Sequence, residues 1–291
     1  MQTQTAPIDE QRLQDFLGKA VTDLSAAVTC ANILVGAKLG LYGAMAGAGP
    51  VSPGTVAQKT GTNERLVHEW LNNQAAAGYV SYDADTGRFE LPAEHAAALT
   101  DEDSPAFIAG IYDSLAAIWR ADGRLARGFR DGTGMGWHEH DPRLFVGTER
   151  FFRPGYRTNL TTSWIPALDG VEEKLQRGAI VADVGCDHGA STIIMAQAYP
   201  LSRFYGFDYH AGSIETARER AAVAGVSERV TFDVAAAQDI PARDLDLVCF
   251  FDCLHDMGDP VGAARPRATR SSPTAPCCSS SPWPTTRSRT T

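Results

Sequence analysis

Apolar positions along the first hundred residues recur at helical spacing. Ala26 to Leu39 predicts an apolar helix stopped by Gly40, and Val51 to Lys59 a short helix opened by Ser52-Pro53, a capping residue followed by a first-turn proline. Thr60-Gly61-Thr62-Asn63 reads as a turn. Glu64 to Ala77 then places Leu66, Val67, Trp70 and Leu71 on one buried face, ending at Gly78. Tyr79 to Tyr82 and Arg88 to Leu91 alternate around Asp85-Thr86-Gly87, the pattern of a hairpin. Together these predict a winged helix over residues 1–100. Residues 101–177 read as mostly helical around a loop at Asp131–Asp141. An apolar stripe runs through Phe107, Ile111, Leu115, Ile118 and Trp119, and Phe151, Phe152, Tyr156 and Trp164 form an aromatic stretch suited to core packing or to a lid over a flat organic molecule.

From Ala179 the period changes. Short, nearly continuous apolar runs (Ala179–Val184, Arg203–Phe207, Val230–Val234, Leu245–Phe251) alternate with the helical segments Ala190–Ala198 and Ser213–Ala224. Such alternation predicts a parallel sheet covered on both faces over residues 178–264, hence an α/β, Rossmann-like fold behind a helical first domain.

Charge alters the reading of the winged helix. The 291-residue chain carries a net charge of −9, and residues 1–100 hold six Lys or Arg against ten Asp or Glu, with only Arg65 on the would-be recognition helix. Phosphate neutralisation needs the opposite balance, so packing and homodimer formation are expected of this module rather than nucleic-acid binding. No uninterrupted apolar run of membrane-spanning length and no secretory leader is visible in the sequence. The six cysteines lack disulfide or zinc spacing, and the His138-Glu139-His140 pattern is more common in solvated loops than at metals. A cytoplasmic protein, without membrane or metal, is expected.

The informative segment is Val181-Ala182-Asp183-Val184-Gly185-Cys186-Asp187-His188-Gly189, a strand entering a glycine turn and then a helix. Glycines permit close backbone approach, and a helix N-terminus offers free N–H groups. Asp208 ends the next strand nineteen residues after Gly189, where a carboxylate can accept both hydroxyls of a ribose. The pair points to an adenosine-containing cofactor. NAD is the second choice, since its fingerprint wants three glycines with two residues between the last two.

These residues, Asp183, the turn Gly185–Gly189 and Asp208, resemble the first two motifs of class I S-adenosylmethionine-dependent methyltransferases. The preceding winged helix and the later Leu254-His255-Asp256-Met257 resemble the small-molecule O-methyltransferase branch, over roughly residues 20–264. The resemblance implies that Asp183 orders the turn and helps bind the methionine amino group. It implies that Gly185 and Gly189 line the methionine moiety and that Asp208 holds the ribose, with Cys186, Asp187 and Tyr209 also among the cofactor-binding residues. By the same resemblance Ala236, Ala237 and Gln238 edge the adenine, and Phe251 lies beside the cofactor. Asp187 departs from the pattern, which expects glycine there: aspartate tolerates a left-handed backbone at some cost, and its charge faces that of the cofactor's carboxylate. His255, with Asp256 or Asp252 as orienting partner, is implied as the base that takes the proton from a small-molecule acceptor hydroxyl, since imidazole titrates near neutral pH.

Residues 265–291 contain no Leu, Ile, Val, Met or Phe and read as disorder. In a shifted reading frame, however, Cys277 can become only Leu, Met or Val, and Cys278 only Leu, while Trp283-Pro284 forces Ala, so an apolar strand emerges. The expectation is a frame slip near residues 264–266, a sheet truncated at its C-terminal side and Val248–Phe251 beside an unfilled edge. Two function classes follow: a methyltransferase acting on a small hydroxylated molecule, or a non-catalytic winged-helix protein with a degenerate cofactor domain.

Overall fold

The computed structural model describes residues 7–240 and 244–264 with their side chains, and 277–280 as backbone. The chain divides into two compact units, residues 1–116 and 117–291.

In the first unit, α1 (Glu10–Lys38) begins well before the predicted apolar segment, because Asp9 accepts the Arg12 N–H and caps it. By length and composition alone α1 is apolar enough to cross a membrane, and Lys19 and Asp23 pair one turn apart on it. Phe16, Val21, Leu24 and Val28 on α1 are exposed. After α2 (Leu41–Met45) comes α3 (Pro53–Thr60), where Ser52 Oγ accepts the Thr55 N–H at 3.2 Å. In α4 (Glu64–Ala76), Val67, Trp70 and Leu71 are buried as expected, but Leu66 is 68% exposed, lying one position off the inward face. The wing is β1 (Ser81–Asp83) against β2 (Arg88–Glu90), antiparallel, followed by α5 (Ala93–Leu99). Ile33, Leu41, Tyr42, Met45, Val56 and Phe89 fill the core of this unit.

The boundary between units falls within α6 (Ile111–Arg120). On this helix the expected stripe is only partly inward, since Ile118 and Trp119 are about half exposed. The second unit continues with α7 (Asp122–Asp131), α8 (Arg143–Asn159) and α9 (Val171–Arg177), then β3 (Ile180–Val184), α10 (Ala190–Ala198), β4 (Arg203–Asp208), α11 (Ala211–Val223), β5 (Val230–Val234), β6 (Leu247–Phe251), α12 (Pro260–Ala264) and β7 (Cys277–Ser280). The sheet order is β5-β4-β3-β6-β7, with all pairings parallel. Alternating residues serve the two faces: Val181, Phe204 and Phe232 pack on one, Ala182, Val184, Phe207 and Phe250 on the other. The chain winds outward from β3 through β4 to β5 and then crosses back to β6, which leaves a crevice at the carboxyl ends of β3 and β4.

β7 corrects the expectation of an unfilled edge. Cys277–Ser280 pairs with Val248–Phe251 through the main chain, so a segment too polar to be recognised as a strand still supplies backbone donors and acceptors to the ladder. The rest of the expected disordered or frame-shifted tail lies outside the described residues.

Candidate active site

Two cavities open at the carboxyl ends of the central strands. The larger, about 300 Å³, is lined by residues that include Val184, Asp208, Tyr209, Ala236, Ala237 and Gln238. The smaller, about 100 Å³, is lined by residues that include Glu149, Phe152, Tyr156, His188, Phe251 and Asp252. Five residues face both: Trp137, Gly185, Asp208, Cys253 and Asp256. In size the pair matches the small end of ordinary ligand sites, roughly 300–1,000 Å³.

The turn after β3 is tied down before any ligand is considered. The N–H groups of Gly185 and Cys186 donate to the Phe207 carbonyl at 2.8 and 3.1 Å. Gly185 has φ 71°, and a Cβ there would lie 2.7 Å from Cys253 Sγ, so glycine is required by backbone and by packing. Gly189 packs against the sheet and α11. It lines neither cavity; a Cβ there would lie 2.6 Å from Phe232 Cζ and 3.0 Å from the Ala217 Cβ, so this glycine seats α10 against the sheet.

Asp183 also lies behind the site. It is 1% exposed and lines neither cavity. Its Oδ2 accepts from Ser191 Oγ at 2.6 Å and Thr192 Oγ1 at 2.7 Å, fixing β3 to the start of α10. Burial lifts its carboxyl to about 6, against the pull of those two hydroxyls. Its Oδ1 is buried without a hydrogen-bond partner.

Asp208 ends β4 almost fully buried, with Oδ1 accepting the His210 N–H at 2.8 Å and Oδ2 the Asp187 N–H at 3.1 Å. Burial raises its carboxyl despite those bonds. Asp187 occupies the left-handed region at φ 46°, the conformation the glycine pattern serves. Its Oδ1 accepts from Ser213 Oγ at 2.8 Å. Burial, with Asp208 and Glu149 nearby, lifts its carboxyl to about 7. His188 Nε2 stands 3.7 Å from Asp187 Oδ1, and burial, with Arg220 and His210 adding to it, depresses this imidazole to about 4.

After β6, Asp252 has φ 53°, the second non-glycine in the left-handed region among the described residues. His255 follows, with Nδ1 3.9 Å from Asp252 Oδ1 and Nε2 3.2 Å from Asp256 Oδ1. The ring is 64% exposed and lines neither cavity, whereas both of its carboxylate neighbours do. The expected base therefore stands behind Asp256 rather than on the wall.

Of the other expected residues, Cys186 and Phe251 line the smaller cavity, and Tyr209, Ala237 and Gln238 the larger. Sequence reading missed Trp137, Glu149, His188 and Cys253. Glu149 carried a signal, an acid in the helical stripe Phe145, Phe152, Tyr156. It is 3% exposed and pairs with Arg220 at 3.0 Å and Arg153 at 3.3 Å. Among the described residues, no group of three His, Cys, Asp or Glu side chains is placed to hold a metal ion.

Comparison with known proteins agrees with this layout. Residues 26–101 match the Rv2258c-like winged HTH domain, and residues 175–284 match a methyltransferase domain family. Norajmaline N-methyltransferase of Rauvolfia serpentina is 26% identical over 140 residues, which is 44% of this chain and 48% of that protein. The 27-O-demethylrifamycin SV methyltransferase of Amycolatopsis mediterranei is 34% identical over 87 residues, 29% of this chain and 32% of that protein. The chain thus spans less than half the length of these curated relatives. In fold it resembles mitomycin 7-O-methyltransferase MmcR, with TM-score 0.64 and 22% identity over 87% of this chain and 75% of that one. It also resembles human N-acetylserotonin methyltransferase solved with SAM, with TM-score 0.58 and 18% identity over 88% and 74%. The chain joins a winged helix-turn-helix domain of the Rv2258c-like type to a Rossmann-like methyltransferase domain.

Proposed function

We propose that the protein is an S-adenosylmethionine-dependent methyltransferase that methylates a hydroxyl of a small organic molecule with an aromatic or polyketide-like ring. The observation that carries this reading is Asp208. It is a buried carboxylate at the end of β4, facing a cavity that is also lined by the apolar or aromatic Val184, Ala235–Ala237 and Tyr209 and by a second acid, Asp256. That pair of acceptors fits a ribose beside a flat base: both carboxylate oxygens are oriented by backbone N–H groups and retain lone pairs for hydroxyls. Gln238 lines the same cavity.

When bound, the cofactor supplies an electrophilic methyl group on a sulfonium. The chain's own work is alignment and proton removal. Phe152, Tyr156 and Phe251 give the smaller cavity an apolar wall, with the Tyr156 and Phe251 ring centroids 5.4 Å apart. His255 and Asp256 form the proton-accepting pair. Asp256 meets the cavity, and His255 Nε2 stands 3.2 Å behind it, with its ring open to water for onward release. Oxygen as the methylated atom is supported by the family resemblance and by a mitomycin 7-O-methyltransferase fold neighbour; the Rauvolfia relative acts on nitrogen.

The exposed apolar face of α1 supports a homodimer built through residues 1–100, and free thiols at Cys30, Cys186, Cys249 and Cys253 support a cytoplasmic setting. The test is calorimetry with S-adenosylmethionine on the wild type and on Asp208→Ala. Binding that is lost or falls at least tenfold in the variant supports the reading. A folded wild type that binds neither S-adenosylmethionine nor S-adenosylhomocysteine overturns it in favour of a non-catalytic winged-helix protein.

A further inference from the structure

The two cavities share five lining residues, here called the neck, whose chemistry is one-sided. Besides Gly185 and Cys253, the residues common to both are an indole, Trp137, and two carboxylates, Asp208 and Asp256. Glu149, Asp187 and Asp252 add acids to the smaller cavity, and no Lys or Arg is among the described residues lining either one. A ligand that fills both cavities must pass its connecting atom through this neck. On the reading proposed above, the adenosine part occupies the larger cavity and the methionine part extends into the smaller, so the connecting atom is sulfur.

We propose that Trp137 is a positioning residue that recognises the positive charge of that sulfur, with Asp208 and Asp256 holding the neck electronegative. An aromatic face attracts a cation through its quadrupole, an effect equivalent to roughly 2- to 30-fold in affinity. The neutral thioether left after methyl transfer receives only the apolar part of the same contact. The neck thus separates cofactor from product by charge, at the one atom where the two differ.

Trp137 is held in place by groups outside the cavities. Its loop is clamped by Arg124 Nη2 on Glu139 Oε1 at 3.0 Å, by the Gly136 N–H on Glu139 Oε2 at 2.7 Å, and by Arg143 Nε on Asp141 Oδ1 at 2.9 Å. The indole packs edge-on against Phe145, with centroids 5.5 Å apart. Three short-range clamps on one loop leave little conformational cost for ligand binding to meet.

The experiment is calorimetry on the full chain with three ligands: S-adenosylmethionine, S-adenosylhomocysteine and sinefungin, which carries an amine cation in place of the methylsulfonium. Wild type, Trp137→Phe and Trp137→Leu are compared, with circular dichroism to check folding. In Trp137→Leu the affinity ratio of S-adenosylmethionine to S-adenosylhomocysteine falls about 3- to 30-fold, sinefungin falls with the charged cofactor, and S-adenosylhomocysteine changes little. Trp137→Phe retains much of the ratio. If Trp137→Leu weakens all three ligands equally, or leaves the ratio unchanged, the indole is only an apolar wall and the inference fails while the cofactor assignment stands. If folded wild type binds none of them, both fail.

Discussion

The main-chain N–H of Asp187 donates to Asp208 Oδ2 across 3.1 Å, so the residue that departs from the glycine pattern orients the carboxylate to which we assign the ribose. A glycine at 187 keeps that N–H and relaxes the backbone at φ 46°. It also removes an acid from the smaller cavity. Asp187→Gly is expected to tighten S-adenosylmethionine about three- to tenfold, since removing a carboxylate that faces the ligand's own carboxylate is worth about 1 kcal/mol. Calorimetry giving equal or weaker affinity contradicts this.

The same carboxyl makes stability depend on pH. Asp187 at about 7 and Asp183 at about 6 bind protons more tightly folded than unfolded, where a carboxyl titrates near 4. Their contribution is complete below that value and is lost as pH rises to about 7. His188, depressed to about 4, works oppositely: its contribution is complete above the ordinary imidazole value and is lost as pH falls towards 4. Asp187→Asn should leave a shallower fall in melting temperature between pH 5 and 7.5 than wild type shows. An unchanged slope would mean that this carboxyl is ionised throughout.

Replacing Gly189 tests the packing role assigned to it. Gly189→Ala places a Cβ 2.6 Å from Phe232 Cζ at φ 77°, and overpacking together with backbone strain costs about 2–4 kcal/mol. Thermal melts should show a drop of several degrees or more. A melting temperature within a degree of wild type would mean that Phe232 moves aside freely.

His255→Ala is expected to lower turnover at least a hundredfold, the usual scale of general-base catalysis, and to leave cofactor affinity within twofold because the ring lines neither cavity. Retained turnover would assign proton removal to another group or to solvent.

On α1, Phe16, Val21, Leu24 and Val28 are exposed. Leu24→Glu combined with Val28→Glu should convert a dimer to monomers in light scattering coupled to size exclusion. Wild type that is already monomeric and binds lipid vesicles would favour a membrane role for this helix instead.

Much of this was legible in the chain. The change from helical spacing to short apolar runs at residue 179 marked the sheet, and the Gly185–Asp208 interval marked the crevice, because both are consequences of local backbone geometry. What sequence could not place was direction. Gly189 and Asp183 belong to the motif yet face the core, since strand alternation points Asp183 at Ser191 and Thr192. Trp137 sits more than forty residues before the glycine turn, and only the clamping of its loop by Arg124 and Arg143 brings it to the cavities. Leu66 faces outward because the inward stripe of α4 is centred on Val67, Trp70 and Leu71.

The ladder between β6 and β7 joins amide to carbonyl and is indifferent to what hangs from either strand. A stretch of Cys-Cys-Ser-Ser can therefore take a berth that an aliphatic run would also fit. The border of this sheet is thus tolerant of coding changes that would be ruinous two and three strands inward, where Ala182 and Phe207 are enclosed in the core.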